Sequence, residues 1–261
     1  NIIRSFHQFA LQTSRLLIIN GDDANTRKAV EGIPSEKLLT FGFDEGNRYR
    51  AVDIADTKRA CERFTVLKDG APLCEVSLRI PGKHNIYNAL AAVAVADYMG
   101  VDAQTIAESL HQFTGVHRRF EILGTFNGVT VADDFAHHPT ELTATLNAAM
   151  HMGFREVWAV FQPHTFSRTY MLLNDFAKAL SIPDHAVLSE ILPVREVNTY
   201  NIYAKDLAEK IPGCVWFPTF EEIRDYVMAK AQEGDLILTL GGGDVYKCAN
   251  MIVETYQAQN K

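Results

Sequence analysis

Five short apolar runs in the second half of the chain constrain its fold more than any other feature. They are "GVTVAD" (128–133), "EVWAVF" (156–161), "HAVLSEI" (185–191), "CVWFP" (214–218) and "DLILTL" (235–240). Each is long enough for a strand only, and little polar alternation interrupts them, so strands built from them must be covered on both faces. Helical patterns starting near Pro139, Ser167, Ala204, Phe220 and Val245 separate them. Strand and helix in alternation predict a doubly wound, mostly parallel sheet, a Rossmann-like α/β domain.

The first half reads differently. Residues 3–12 pattern as a helix, "RLLIIN" as a short strand, and "GDDANTRKAV" as a helix that Asp22 or Asp23 can cap. A strand-rich section follows: "KLLTFGF", "RYRAVDIADT", "ERFTVLKDG" and "CEVSLRIPG", with a hairpin signal at Lys68-Asp69-Gly70. The Ala-rich "HNIYNALAAVAVADYMG" is a helix ending at Gly100, and "DAQTIAESLHQF" is a second with Asp102 as its cap. The rhythm changes at "TGVHRRF", which divides the chain into residues 1–116 and 117–261.

Composition excludes several classes. The net charge is −7, against a general nucleic-acid or membrane-surface binder, so an anionic ligand must be held by local donors. Cys61, Cys74, Cys214 and Cys248 form no CxxC and suggest neither a disulfide framework nor a zinc knuckle. A reduced, cytoplasmic setting is the expectation, and no apolar run approaches a membrane span.

In an open parallel sheet, ligands bind beyond the carboxyl ends of the strands. Asp133 and Asp134 follow the first run, Gln162 and His164 the second, Glu190 the third, and Gly241-Gly242-Gly243-Asp244 the last. The helix starts at Pro139 and Ser167 favour an anion at the same edge. Two readings stand at each position. His138 and Glu141 have the spacing to chelate a metal, or His138 caps a helix with Pro139 at its first position. The glycine triplet is a phosphate cradle or a tight turn. Arg168 sits in a first helical turn, where the dipole disfavours a cation, which points to an anionic partner. Arg118-Arg119 is a solvated hinge or a phosphate clamp. Asn85 and Asn88, three apart on one helical face, offer the donor and acceptor that base recognition needs, or Asn85 is simply a cap.

Five motifs occur together and in this order: "PGKHNIYNALAA", "GVHRRFEILG", "DDFAHHPTE", "FQPHTFSRT" and "ILPVRE". With them the chain resembles the Mur ligases, ATP-dependent amide-forming enzymes of peptidoglycan precursor synthesis, over essentially its whole length. It is most similar to those members that join L-alanine to UDP-N-acetylmuramate. "ILPVREVNTYNIYAKDLAEKI" favours these over the recycling members that attach a murein tripeptide to the same sugar nucleotide. The resemblance implies that residues 1–116 are the last part of a central ATPase α/β domain and residues 117–261 an amino-acid-binding, Rossmann-like C-terminal domain. It implies that Asn85 and Asn88 meet the adenine, Arg119 the ATP phosphates and Asp134 the ribose. His137 and Arg168 would stand near the incoming amino acid and the acyl phosphate, with His164 beside them. The implied partners are ATP, UDP-N-acetylmuramate and L-alanine, with no nucleic acid and no membrane.

The sequence also departs from the family. It holds no GxxxxGK[ST] phosphate loop, and the Mg2+ ligands that relatives carry shortly after that loop are missing, so the metal is expected to be held mainly by sequence upstream. The chain starts at Asn1 without an initiator Met or a signal-peptide core, and reads as a fragment of a longer ligase that does not turn over alone. Thr165 stands where some relatives carry a second arginine. Two other readings are a non-catalytic nucleotide-binding protein and a metal-dependent hydrolase built on "DDFAHHPTE".

Overall fold

A computed structural model describes residues 2–56 and 61–259, which fall into two compact units, 1–114 and 115–261. The first unit contains α1 (Ile2–Gln12), β1 (Leu17–Asn20), α2 (Ala24–Ala29), β2 (Leu38–Gly42), β3 (Tyr49–Asp56), β4 (Cys61–Lys68), β5 (Ala71–Pro81), α3 (His84–Tyr98) and α4 (Ala103–Gln112). Its sheet runs in sequence order, β1 to β5; the first three strands are parallel and the last three form an antiparallel meander. Asp69 and Gly70 both take left-handed backbone angles (φ 50° and 81°), which gives the β4–β5 turn the twist that a two-residue hairpin needs. The core joins the inner face of this sheet (Leu39, Phe41, Phe64, Val66, Val76) to one stripe of α3. Ala89 and Ala94 in that stripe are buried, and their small side chains let the helix approach the strands closely.

Asp23, not Asp22, caps α2, accepting the Thr26 N–H at 2.6 Å. Asp22 instead accepts from Phe43 N–H, Asp44 N–H, Asn47 Nδ2 and the Tyr87 hydroxyl, tying β2 to α3. Burial pushes this carboxyl upward, but the four donors outweigh it and hold it below the usual aspartate range.

The second unit contains β6 (Glu121–Phe126), β7 (Val129–Asp134), α5 (Pro139–Met150), β8 (Val157–Phe161), α6 (Phe166–Met171), α7 (Leu173–Leu180), β9 (His185–Leu188), α8 (Ala204–Ala208), β10 (Val215–Trp216), α9 (Phe220–Lys230), β11 (Leu236–Leu240) and α10 (Tyr246–Gln259). The sheet order is β10-β9-β8-β11-β7-β6, and every pairing is parallel except β6 with β7. The continuous apolar runs have the expected cause. Along β8, Val157, Ala159 and Phe161 enter one core with α5, α7 and α8, while Trp158 and Val160 enter the opposite core with α9 and α10. Both faces of the strand are dry, so no polar position can alternate in it.

Two elements differ from the sequence expectation. β6 is an additional edge strand, joined to β7 through Asn127-Gly128, whose φ angles of 51° and 80° make the same kind of hairpin turn. The helical pattern that starts near Ser167 is not one continuous helix: it breaks at Leu172 (φ −112°, ψ 21°) into α6 and α7. The described thiols are unpaired, Cys248 buried and Cys74 and Cys214 half-buried. Cys74, Cys214 and Cys248 are free, and burial holds Cys214 and Cys248 up at about 12, far from a reactive thiolate. The Cys61 side chain lies outside the described residues. Among the described residues, no helix is long and apolar enough to cross a membrane.

Candidate active site

The three central strands of the second unit end level. Leu240 pairs with Asp134 on one side and Phe161 on the other, so the loops after β7, β8 and β11 leave the sheet together. This is the carboxyl edge, and most of the expected residues of this unit gather on it.

Arg118 and Arg119 are adjacent but serve different ends. Arg118 Nε donates to Asp133 Oδ2 at 2.8 Å, Nη2 to the Gly241 carbonyl at 2.7 Å and Nη1 to the Gly243 carbonyl at 3.2 Å. Its guanidinium lies over the rings of Phe135 and Tyr246. It is therefore neither a solvated hinge nor a free clamp: it is built into the floor. Left-handed backbone at Arg118 (φ 59°) and Phe120 (φ 46°) turns Arg119 outward. Arg119 is exposed and edges onto Phe135; its charge acts on the Asp134 and Glu141 carboxylates, but among the described residues its guanidinium makes no hydrogen bond or close ion pair.

The two aspartates face inward. Asp133 accepts from Arg118 and from Thr239 Oγ1 (2.5 Å), and is 2% exposed. Asp134 accepts the Phe120 N–H and the Ala136 N–H, each at 2.8 Å, and shapes the loop that follows β7. Burial pushes the Asp134 carboxyl above its ordinary range, against those two N–H bonds and Arg119. Its first duty is to the backbone, and a sugar hydroxyl would have to use its remaining lone pairs.

The histidine pair also resolves into two tasks. His138 is the N-cap of α5, with Pro139 at the first helical position; its Nδ1 accepts the Thr140 N–H at 3.3 Å. Glu141 closes the capping box by accepting the N–H of His137 (3.0 Å) and of His138 (3.2 Å). With its carboxylate so engaged, and with both aspartates bonded internally, all three carboxylates of "DDFAHHPTE" already have partners within the protein. Among the described residues, no group of three His, Cys, Asp or Glu could hold a metal ion. The His137 ring does not cap the helix, although its Nδ1 stands 3.4 Å from Glu141 Oε2. Its Nδ1 donates to the Phe135 carbonyl at 3.0 Å, which in the neutral ring leaves Nε2 with its lone pair. The ring packs against His164, centroids 5.7 Å apart, and over Gly242.

The glycine triplet is accounted for by close packing. A Cβ on Gly243 would lie 2.4 Å from Leu192 Cδ2 and 2.6 Å from Gln162 Oε1, and one on Gly242 would lie 3.2 Å from the His137 ring. Gln162 in turn accepts the Asp244 N–H at 2.8 Å, fixing the loop after β11 to the end of β8.

His164 and Arg168 complete the edge. His164 Nδ1 and Arg168 Nη1 are buried atoms without a partner among the described residues. Burial, then the charge of Arg168, then His137 hold the His164 imidazole below its ordinary range. One of the expected free N–H groups at the start of α6 is already taken, because Glu196 accepts the Ser167 N–H. Neither the Glu141 box nor the Glu196 contact was anticipated. The His138-x-x-Glu141 spacing carried a signal for the first, whereas the second joins residues 29 apart and had none. Glu190 is exposed at the end of β9.

In the first unit, Asn85 and Asn88 do lie together at the start of α3. Asn85 is not the cap: the N-cap is Lys83, and Asn85 Nδ2 donates to the Pro81 carbonyl at 2.7 Å. Asn88 Nδ2 donates to Asn85 Oδ1 at 2.9 Å. That chain of bonds orients the exposed Asn88 amide and leaves its Oδ1 and one N–H outward, an acceptor beside a donor.

The family model for the Mur ligase, glutamate ligase domain matches residues 118–243, and that for the Mur ligase middle domain matches residues 1–96. A UDP-N-acetylmuramate–L-alanine ligase of Agathobacter rectalis is 43% identical over 251 residues, covering 94% of this chain and 54% of its own length. Its counterpart in Lachnospira eligens is 44% identical, covering 92% and 54%. Among solved structures, the UDP-N-acetylmuramate–alanine ligase of Thermotoga maritima superposes with a TM-score of 0.79 at 27% identity, over 98% of this chain and 55% of that one. The chain thus spans about half the length of the curated relatives it matches.

Proposed function

Because this chain belongs to the Mur ligase family, we propose that it is part of an ATP-dependent ligase that joins L-alanine to UDP-N-acetylmuramate. The single observation that carries the chemistry is the pair of unpartnered buried atoms, His164 Nδ1 and Arg168 Nη1, at the carboxyl edge of the second sheet. A buried guanidinium N–H without an acceptor is costly unless an anion arrives to meet it. The amino acid's carboxylate is such an anion, and so is an acyl phosphate.

In the proposed reaction, the carboxylate oxygen of the sugar nucleotide attacks the γ-phosphorus of ATP, and ADP leaves. The amine nitrogen of L-alanine then attacks the acyl carbon, phosphate departs, and the nitrogen loses a proton. Such a sequence needs positioning and charge stabilisation rather than a protein nucleophile. Arg119, exposed and without a hydrogen bond among the described residues, is the group for the ATP phosphates. Arg168 and His164 hold the anionic end of the amino acid, and His137, with its Nε2 lone pair open, can take the amine proton. Asn85 and Asn88 offer the adenine an acceptor and a donor, and Asp134 is assigned to the ribose. ATP acts with Mg2+ in this reading, but no residue of this chain is assigned to the metal and no step here passes through it.

The test is phosphate release by the full-length gene product with ATP, Mg2+, UDP-N-acetylmuramate and a panel of amines. Release that depends on L-alanine is expected. Release with a murein tripeptide alone would transfer the chain to the recycling ligases, and none with any amine would leave a nucleotide-binding protein.

A further inference from the structure

Arg168 keeps an unpaired N–H although a carboxylate is close by. Both Arg168 and Glu196 act electrostatically on His164, the first lowering and the second raising its proton affinity, so the two charges share one neighbourhood. An arginine with a free N–H ordinarily takes a nearby carboxylate as its partner. Here the carboxylate is already engaged. Ser167 N–H donates to Glu196 Oε2 at 2.8 Å and Ser167 Oγ–H donates to Oε1 at 2.5 Å.

The backbone around this contact is held as well. Leu192 N–H donates to the Pro163 carbonyl at 2.9 Å, tying the loop after β9 to the loop after β8, and Glu196 N–H closes a turn within its own loop on the Pro193 carbonyl at 2.9 Å. Thr165 (φ 63°) and Val194 (φ 57°) take left-handed backbone angles that β-branched residues rarely adopt. Strain of this kind persists only where surrounding contacts fix it, and the Ser167–Glu196 contact joins the residues two positions after each strained one.

We propose that Glu196 is a positioning residue, clamped at both oxygens by Ser167 so that it fixes the first turn of α6 and stays off Arg168, leaving that guanidinium open for the carboxylate of the incoming amino acid. This rests on the ligase reading above. Glu196→Ala removes the clamp and lets the turn relax. Ser167→Ala leaves Oε1 without its donor, and the carboxylate becomes an internal competitor for Arg168. Glu196→Gln keeps the clamp, because the amide oxygen accepts the Ser167 N–H and the amide N–H₂ donates to Oγ.

The experiment measures KM for L-alanine, KM for ATP and kcat by phosphate release from the full-length gene product, together with hydrogen exchange at the Ser167 amide. Glu196→Ala and Ser167→Ala are expected to raise KM for L-alanine about tenfold, equivalent to ~1.4 kcal/mol, with KM for ATP unchanged. Glu196→Gln is expected to behave like the unsubstituted protein. Ser167 exchange should quicken in Glu196→Ala and not in Glu196→Gln. An unchanged KM for L-alanine in both disruptive variants, a uniform loss in every kinetic constant, or unchanged Ser167 exchange overturns the proposal. Failure of the unsubstituted protein to release phosphate with any amine sinks the ligase reading and the ligand named here, while the exchange comparison still judges the clamp by itself.

Discussion

The Arg118 guanidinium and the Asp133 carboxylate meet at 2.8 Å beneath the carboxyl edge of the second sheet, with side-chain exposures of 14% and 2%. The pair does more than neutralise itself. Two further guanidinium N–H groups bind the carbonyls of Gly241 and Gly243, and the second carboxylate oxygen accepts from Thr239. One ion pair thus joins the entry to β6, the end of β7 and the loop after β11, the segments that present Arg119 and His137.

Neighbouring arginines should therefore separate stability from chemistry. Removing one member of a buried pair leaves a desolvated charge, at a cost of about 3–5 kcal/mol. Arg118→Ala is expected to lower the urea midpoint of the second unit accordingly, and Arg118→Ala with Asp133→Ala should cost less than the two single changes summed. Arg119→Ala should leave the midpoint within ~0.5 kcal/mol and damage phosphate release in the full-length gene product instead. Equal midpoints for the Arg118 and Arg119 variants would contradict this division.

Nothing in "GVHRRFEILG" distinguishes those two arginines. The distinction depends on partners more than a hundred residues away in the glycine loop, which no local pattern reports. The strands were legible for the opposite reason: β7, β8 and β11 are covered on both faces, so burial writes itself into composition as an unbroken apolar run. β6 is an edge strand with no buried residue, and its trace was the Asn127-Gly128 turn rather than its own residues. The break at Leu172 has no glycine or proline to mark it. It arises where Phe166 joins one apolar cluster and Phe176 another, with Leu173 shared between the two.

Gly243 should tolerate no side chain. Leu192 could rotate away from a new Cβ, but Gln162 cannot yield as easily, being 6% exposed and bonded to the Asp244 N–H. Overpacking of this kind costs about 1–3 kcal/mol. Gly243→Ala is expected to destabilise the second unit by that amount in chemical denaturation, and Gln162→Ala in the same chain should return part of it. A fully stable Gly243→Ala protein would mean that the loop after β11 is free to move.

The two asparagines proposed for the adenine give a graded expectation. Asn88 is exposed and its own bond goes only to Asn85, so Asn88→Ala should leave stability within ~0.5 kcal/mol while raising KM for ATP in the full-length gene product. Asn85→Ala also loses the bond to the Pro81 carbonyl and should cost ~1 kcal/mol in addition. Unaltered KM for ATP in both variants would remove these residues from the nucleotide site.

His164 makes a prediction whose sign can be followed through. Burial first, then the positive charge of Arg168, disfavour its protonated form and hold it below the ordinary 6.5. The unfolded chain therefore binds more protons than the folded one in the window between the lowered value and 6.5. The stability that His164 contributes is fully present above pH 6.5 and is lost as the pH falls through the folded value. Imidazole C2 proton shifts, followed by NMR, should give a His164 midpoint below 6.5. Arg168→Ala should move that midpoint upward by removing a like charge, and Glu196→Ala should move it downward by removing the one carboxylate that favours the proton. A midpoint at or above 6.5, or one indifferent to Arg168, would mean that the ring is solvated and that the two unpartnered atoms do not form one anion-seeking edge.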